Sequence, residues 1–166
     1  ECAYFGSGYF DGGGYYYGTT FSSNLQVHWG EYAGWLGSTK TSTNELRCAV
    51  NLPAKGVYSL NFWYRKANNN NSLGTNTWKL YVRLEGVGKN EGVKIPLGEA
   101  IQVEYNTTWH EVKLENLLVD RAGPFKLVIS QPGGEISGAK QNATTGFDDF
   151  SFKLVKPLAG MMLIIQ

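Results

Sequence analysis

The sequence predicts an all-β chain that packs as a two-layer antiparallel β-sandwich. Three observations predict it. Apolar residues recur at every second position along much of the chain, the spacing that lines one face of a strand. Aromatic residues reach 14% and glycines number 21, a mixture that suits short strands joined by turns rather than helices. No window of useful length carries a helical period with capping signals. Strands of this length hide one face each, so six or more at close spacing indicate a sandwich or barrel, with two sheets packed face to face.

The elements follow in order. Residues 1–45 carry Gly12-Gly13-Gly14 and then Tyr15-Tyr16-Tyr17; some strands are expected there, 25–29 among them, without a readable register. Leu46, Cys48, Val50 and Leu52 alternate with polar residues until Pro53, and Gly56 turns the chain. Tyr58, Leu60, Phe62 and Tyr64 form the next inward set, with Ser59, Asn61, Trp63 and Arg65 on the other side. Residues 66–77 read as an Asn-rich loop. Trp78, Leu80, Val82 and Leu84 then alternate with Lys79, Tyr81, Arg83 and Glu85, until Gly86 and Gly88 break the strand. A short apolar piece spans 93–97, with Pro96 near its end, and Ile101, Val103 and Tyr105 alternate after it. Residues 109–114 are a further strand candidate, and a turn over 120–124 leads into Phe125, Leu127 and Ile129. Pro132, Gly133 and Gly134 start a long loop, and Phe150, Phe152 and Leu154 form a final strand before Pro157.

At 166 residues the chain has the length of one domain, and dividing it would leave two cores with little buried surface. The sandwich is assigned to residues 1–157. Residues 158–166 form a C-terminal tail or closing edge strand, whose apolar run at 161–165 is far too short to span a bilayer. A net charge of +1 gives no electrostatic footprint for nucleic acid or an anionic membrane. A neutral, aromatic-rich surface fits an uncharged partner. The chain opens on Glu1 rather than Met, as expected of a processed or excised fragment whose signal peptide is gone, and Asn-x-Ser/Thr sites start at Asn70, Asn106 and Asn142.

Cys2 and Cys48 are read in two ways. In an extracellular domain they form a disulfide, which on the chain-entropy model removes roughly 4 kcal/mol of unfolded-state entropy. Reduced, they are buried thiols that pack as small hydrophobes. His28 and His110 add no zinc-like spacing.

Catalytic signatures are missing: there is no Gly-x-Ser-x-Gly elbow, no His-Glu-x-x-His and no phosphate-cradling loop. His110 and Glu111 are neighbours in a strand candidate and so point to opposite faces. A non-enzymatic chain is expected. The most informative stretch is Gly146-Phe147-Asp148-Asp149-Phe150-Ser151-Phe152-Lys153-Leu154. Parity puts Asp148 on the inward side with Phe150, Phe152 and Leu154, and Asp149 outward, although a bulge would exchange the two. An inward acid at a strand end is either a calcium ligand or an acceptor of backbone hydrogen bonds in a turn, and both readings stay open.

This closing pattern, an aromatic, two Asp residues and then alternating aromatics, resembles the last strand of jelly-roll carbohydrate-binding modules. It is similar also to the equivalent strand of related extracellular sandwiches, including adhesion domains of the MAM type. Trp109 opening a strand, the run Gly123-Pro124-Phe125-Lys126-Leu127-Val128-Ile129 and the glycine-rich loop after it fit as well. The resemblance covers mainly residues 46–154. It implies a jelly-roll fold and a glycan-binding role. Many such modules hold a structural calcium between an acidic residue near the chain start and this Asp strand, which implies Glu1 and Asp148 as the ligands here.

Sugar rings stack their apolar C–H faces on flat aromatic rings, and their hydroxyls need short polar partners. Trp63 and Tyr81 are outward by parity. If their strands are neighbours, both rings line one sheet face with Arg65, Arg83 and Asn61; the plainer reading buries them. A second candidate is an end-loop site among Gly and Ser with Tyr16, Trp29 and Trp35; the plainer reading has Trp29 and Trp35 plug the core ends. The expected function is a non-catalytic module of a secreted or cell-surface protein with neighbouring domains, binding polysaccharide or oligosaccharide by stacking and polar contacts. One alternative is a protein-interaction or adhesion sandwich. A more remote one is a jelly-roll polysaccharide lyase or hydrolase using His110, Tyr105 and Arg83.

Overall fold

A computed structural model describes residues 14–17, 32–39, 41, 43–66, 77–103, 108–138 and 142–158. Several expectations lie outside the described residues: the strand at 25–29 with His28 and Trp29, Glu1, Cys2, the Asn-rich loop at 68–71, Tyr105, and the apolar run at 161–165.

The described chain forms ten strands: β1 (Gly14–Tyr17), β2 (Tyr32–Thr39), β3 (Asn44–Leu52), β4 (Gly56–Lys66), β5 (Trp78–Gly86), β6 (Lys94–Pro96), β7 (Ile101–Val103), β8 (His110–Val119), β9 (Gly123–Gln131) and β10 (Asn142–Pro157). They make two antiparallel sheets. The first sheet has the order β1-β2-β10-β4-β8; the second has β3-β9-β5-β6, with β7 also paired to β5. The chain passes from one sheet to the other between β2 and β3, β3 and β4, β4 and β5, β7 and β8, β8 and β9, and β9 and β10. The architecture is the expected all-β sandwich of jelly-roll type.

Alternation explains why these segments are strands. Along β4, Tyr58, Leu60, Phe62 and Tyr64 are buried and the residues between them are half-buried. Trp78, Leu80, Val82 and Leu84 are the buried set of β5, and Phe125, Leu127 and Ile129 belong to that of β9. Each such side chain contributes about 1.5–3 kcal/mol when taken fully out of water. The rings also stack within the first sheet: Phe62 on Phe150 with centroids 5.2 Å apart, and Tyr58 on Phe152 at 5.1 Å.

Polar groups tie the two layers together. The Trp78 indole Nε1–H of the second sheet donates to Thr145 Oγ1 of the first at 2.9 Å, and that hydroxyl donates to Gln131 Oε1 on β9 at 2.7 Å. The chain of bonds satisfies three buried polar groups at once, as burial demands. The Lys66 ammonium lies 4.9 Å from the Trp78 ring centroid, and burial holds its pKa below the ordinary lysine value. Gly86 is required by space: a Cβ there would stand 1.8 Å from the Asn90 carbonyl oxygen.

Two strands depart from simple alternation through bulges. In β8 the register against β4 slips between Leu117 and Leu114, and Asn116 takes φ 55°. In β10 the register slips between Asp148 and Ser151, and Asp149 takes φ 51°. Asn and Asp tolerate this left-handed backbone better than other non-glycine residues. The β10 bulge corrects the parity reading of the closing strand. Asp148 pairs with Trp63, whereas Phe152 pairs with Leu60. Residues directly opposite in an antiparallel pair share a face, so Asp148 lies on the side away from the core and not with Phe152 and Leu154. The extra residue in the bulge reverses the phase between them.

Candidate functional site on the outward face of the first sheet

Backbone register assembles the site. One row across the first sheet reads Gly14 on β1, Trp35 on β2, Gly146 on β10 and Arg65 on β4. On the next row of that face, Asp148 on β10 meets Trp63 on β4 and Glu111 on β8. Tyr16 pairs with Ala33 at the β1–β2 edge, two positions from the Gly14–Trp35 pair. Trp63, Arg65, Asp148 and the backbone positions of Trp35 and Tyr16 therefore belong to one sheet. The sequence had placed them in separate candidate sites.

Burial extends to the outward side of the middle strand. Thr144, Gly146 and Asp148 alternate on the outward side of β10, and all three are buried although the core is on the other side. Trp63 and Arg65 beside them on β4 are half-buried. Gly146 puts no side chain between the Trp35 and Arg65 positions. At the β8 edge Glu111 is paired with Lys113 at 2.9 Å.

Arg65 is the unusual group on this face. Its Nε is enclosed and has no hydrogen-bond partner. Burial holds its pKa below the ordinary arginine value, with no opposing contribution from a carboxylate. Asp148, on the neighbouring row, accepts a hydrogen bond at Oδ1 from the amide N–H of Asp149 at 2.8 Å. Among the described residues no three His, Cys, Asp or Glu side chains come together to hold a metal ion. Glu1, the other expected calcium ligand, lies outside the described residues.

Tyr81 and Arg83 are elsewhere, which corrects the single-platform reading. That reading required β4 and β5 to be neighbours, and they belong to different sheets. Tyr81 and Arg83 lie on the outward face of the second sheet, with the whole core between them and Trp63. Arg83 is also committed. Its Nη2 is 2.6 Å from Glu45 Oε1 and its Nε donates to Glu85 Oε1 at 2.9 Å. Arg47 joins by pairing with Glu45 and approaching Glu85 at 3.7 Å. Tyr81 Oη donates to Glu135 Oε1 at 3.3 Å, where Lys79 also pairs. The imagined lyase constellation is dispersed as well: Arg83 is in the second sheet, while His110 stacks on Tyr64 in the first, with ring centroids 5.4 Å apart. Cys48 is half-buried on β3, and its Sγ donates to the Ala49 carbonyl at 3.5 Å. Among the described residues no helix is long and apolar enough to cross a membrane.

No protein-family model and no curated protein matches the chain in sequence. Solved structures do resemble it. It is similar to the CBM22-1 xylan-binding domain of Paenibacillus barcinonensis Xyn10C, with a TM-score of 0.56 and 13% identity, over 81% of this chain and 80% of that one. A structure of carbohydrate-binding modules from the β-sandwich superfamily matches with a TM-score of 0.50 and 14% identity, over 78% of this chain and 50% of that one. The enzymatically active domain of tailspike protein 4 from bacteriophage CBA120 matches with a TM-score of 0.52 and 9% identity, over 87% of this chain and 18% of that one. At these identities the likeness is one of fold: the chain has the β-sandwich architecture found in carbohydrate-binding modules.

Proposed function

We propose that the chain is a non-catalytic carbohydrate-binding module of a secreted or cell-surface protein, and that it holds a polysaccharide on the outward face of its first sheet. The observation that carries this reading is the juxtaposition of a half-buried Trp63 and a half-buried Arg65 on one strand, in register with Asp148 and Gly146 of β10. A ring on a sheet face offers a flat apolar surface to the C–H side of a sugar, and donors and acceptors beside it fix the hydroxyls. The shared architecture with a xylan-binding domain supports the same reading. Such binding needs no acid–base pair and no metal.

Gel retardation in soluble plant, algal and host polysaccharides, followed by calorimetry on the best oligosaccharide, tests the proposal. Saturable binding to at least one glycan class is the expected result. Retention by none of them, together with concentration-dependent self-association of the chain, would replace it with the protein-interaction reading.

A further inference from the structure

One corner of the first sheet is apolar where its strands otherwise expose charge. Glu111, Lys113 and Glu115 are exposed on β8, and Lys153 and Lys156 on β10. Leu118 and Val155 break that pattern, at 61% and 64% exposure. Backbone register brings them to one place. Leu118 pairs with the half-buried Val57 on β4, and Val155 is the extra residue where β10 slips against β4, next to Lys156, which also pairs with Val57. Leu158, 38% exposed, belongs to the same corner, because its amide N–H donates to the Lys55 carbonyl at 3.0 Å. Among the described residues the exposed large hydrophobic side chains are Tyr81, Val87, Leu118, Val155 and Leu158, and three of these five gather here. An apolar side chain alone on a surface is ordinary; a group of them at the point where an apolar segment leaves the fold is not.

We infer that this corner is the docking site of the chain's own C-terminal segment, with Met161-Met162-Leu163-Ile164-Ile165 laid over Leu118, Val57 and Val155. Chemistry, reach and attachment favour that occupant. Residues 159–166 hold no charged side chain, and the apolar run within them matches the patch rather than the lysines and glutamates around it. From Leu158 the far side of the patch is two strand spacings away, about 10 Å, whereas eight extended residues reach about 26 Å. Gly160 stands where the chain must turn back, and glycine makes such a turn at little steric cost. Covalent attachment also makes a small patch sufficient. Four side chains fall far short of the roughly 800 Å² per partner that stable association of separate chains uses. Val57 is six positions from Trp63 on β4, about 20 Å along the strand, so a covered corner leaves the proposed glycan-binding face open, and the inference stands apart from that reading.

The test combines methyl NMR on the full chain with a mutant cycle followed by thermal melting, and sedimentation at several concentrations fixes the association state. Cross-relaxation between the methyls of Leu118 or Val155 and those of residues 161–165, within one molecule, is the expected result. Leu118→Ser and removal of residues 159–166 should each lower the melting temperature by about 2–4 °C. Together they should lower it little more than either alone, because both remove the same contact. Leu118→Ser in the shortened chain should therefore be close to neutral. Absent methyl contacts, or losses that simply add, overturn the inference. So does a dimer that dissociates on Leu118→Ser, which would assign the corner to a second copy of the chain. If the shortened chain does not fold, the methyl contacts decide, since they are read in the unaltered protein.

Discussion

Arg83 and Arg65 occupy comparable stations on opposite sides of the sandwich, each half-buried on an outward face beside the central strand of its sheet. Their surroundings differ. Burial tends to lower the pKa of Arg83, but hydrogen bonds and charge from Glu45 and Glu85 outweigh it, and the net shift is upward. For Arg65 burial acts alone and the shift is downward. The second sheet's face is closed by its own side chains, whereas the first sheet's face leaves a donor enclosed and unmatched. A closed polar lattice serves stability, whereas an enclosed donor without an acceptor detracts from it.

Four measurements would break or sharpen this contrast. The largest effect is expected on binding. Trp63→Ala should weaken glycan affinity by roughly thirtyfold or more, as loss of a central aromatic contact does. Tyr81→Ala, on the opposite face, should leave affinity within about twofold. Comparable losses from both variants in calorimetry would show that the two faces are not functionally distinct.

Next comes stability. Arg83→Met removes hydrogen bonds to two carboxylates in a partly solvated network and should cost about 1–2 kcal/mol in urea unfolding. Arg65→Met breaks no such bond and relieves a desolvated charge, so it should leave stability unchanged or raise it. The opposite order of effects would mean that Arg65 is already satisfied within the fold.

A smaller effect concerns pH. Burial tends to raise the Glu45 pKa, but hydrogen bonds and charge from Arg83 and Arg47 outweigh it and hold it below the ordinary glutamate value. A carboxyl depressed in the folded state binds fewer protons there than in the unfolded chain. Its stabilisation is therefore fully present above the ordinary glutamate range and is lost as pH falls through the folded-state value. The melting-temperature gap between the unaltered chain and Glu45→Gln should narrow between neutral pH and strong acid. A gap that is constant across that window would disprove the linkage. The smallest effect is at Glu135, a surface partner of Lys79 and Tyr81. Glu135→Gln should change stability by no more than about 0.5 kcal/mol by the same unfolding assay.

The strands and their inward residues were legible because a period of two survives in β4, β5 and β9 without interruption. The sets from Tyr58, Trp78 and Phe125 onward are the buried ones. Three things were not legible, each for a physical reason. β1 and β2 are built from glycine and aromatic residues with little alternation, and no parity could be read there. Pairing between strands is non-local: parity tells which side of a strand Trp63 and Tyr81 occupy, but not that β4 and β5 belong to different sheets. The bulge at Asp149 is a single backbone excursion into the left-handed region, and its side-chain type permits that conformation without announcing it. The candidate site was thus visible as separate residues, and its assembly depended on register.

The bulge in β10 also limits how this strand can vary. Phe147 and Phe152 both face the interior although an odd number of positions separates them, and only the extra residue between them reconciles the two. Deleting Asp149 would restore an even separation and a regular ladder with both rings still inward, whereas one further residue inserted into a regular part of the strand would turn one of them outward. Length elsewhere in the strand is therefore constrained more strictly than identity at the bulge: substitutions that tolerate the backbone turn are admissible at Asp149, while a single insertion or deletion in a regular part of β10 would carry every residue beyond it to the opposite face.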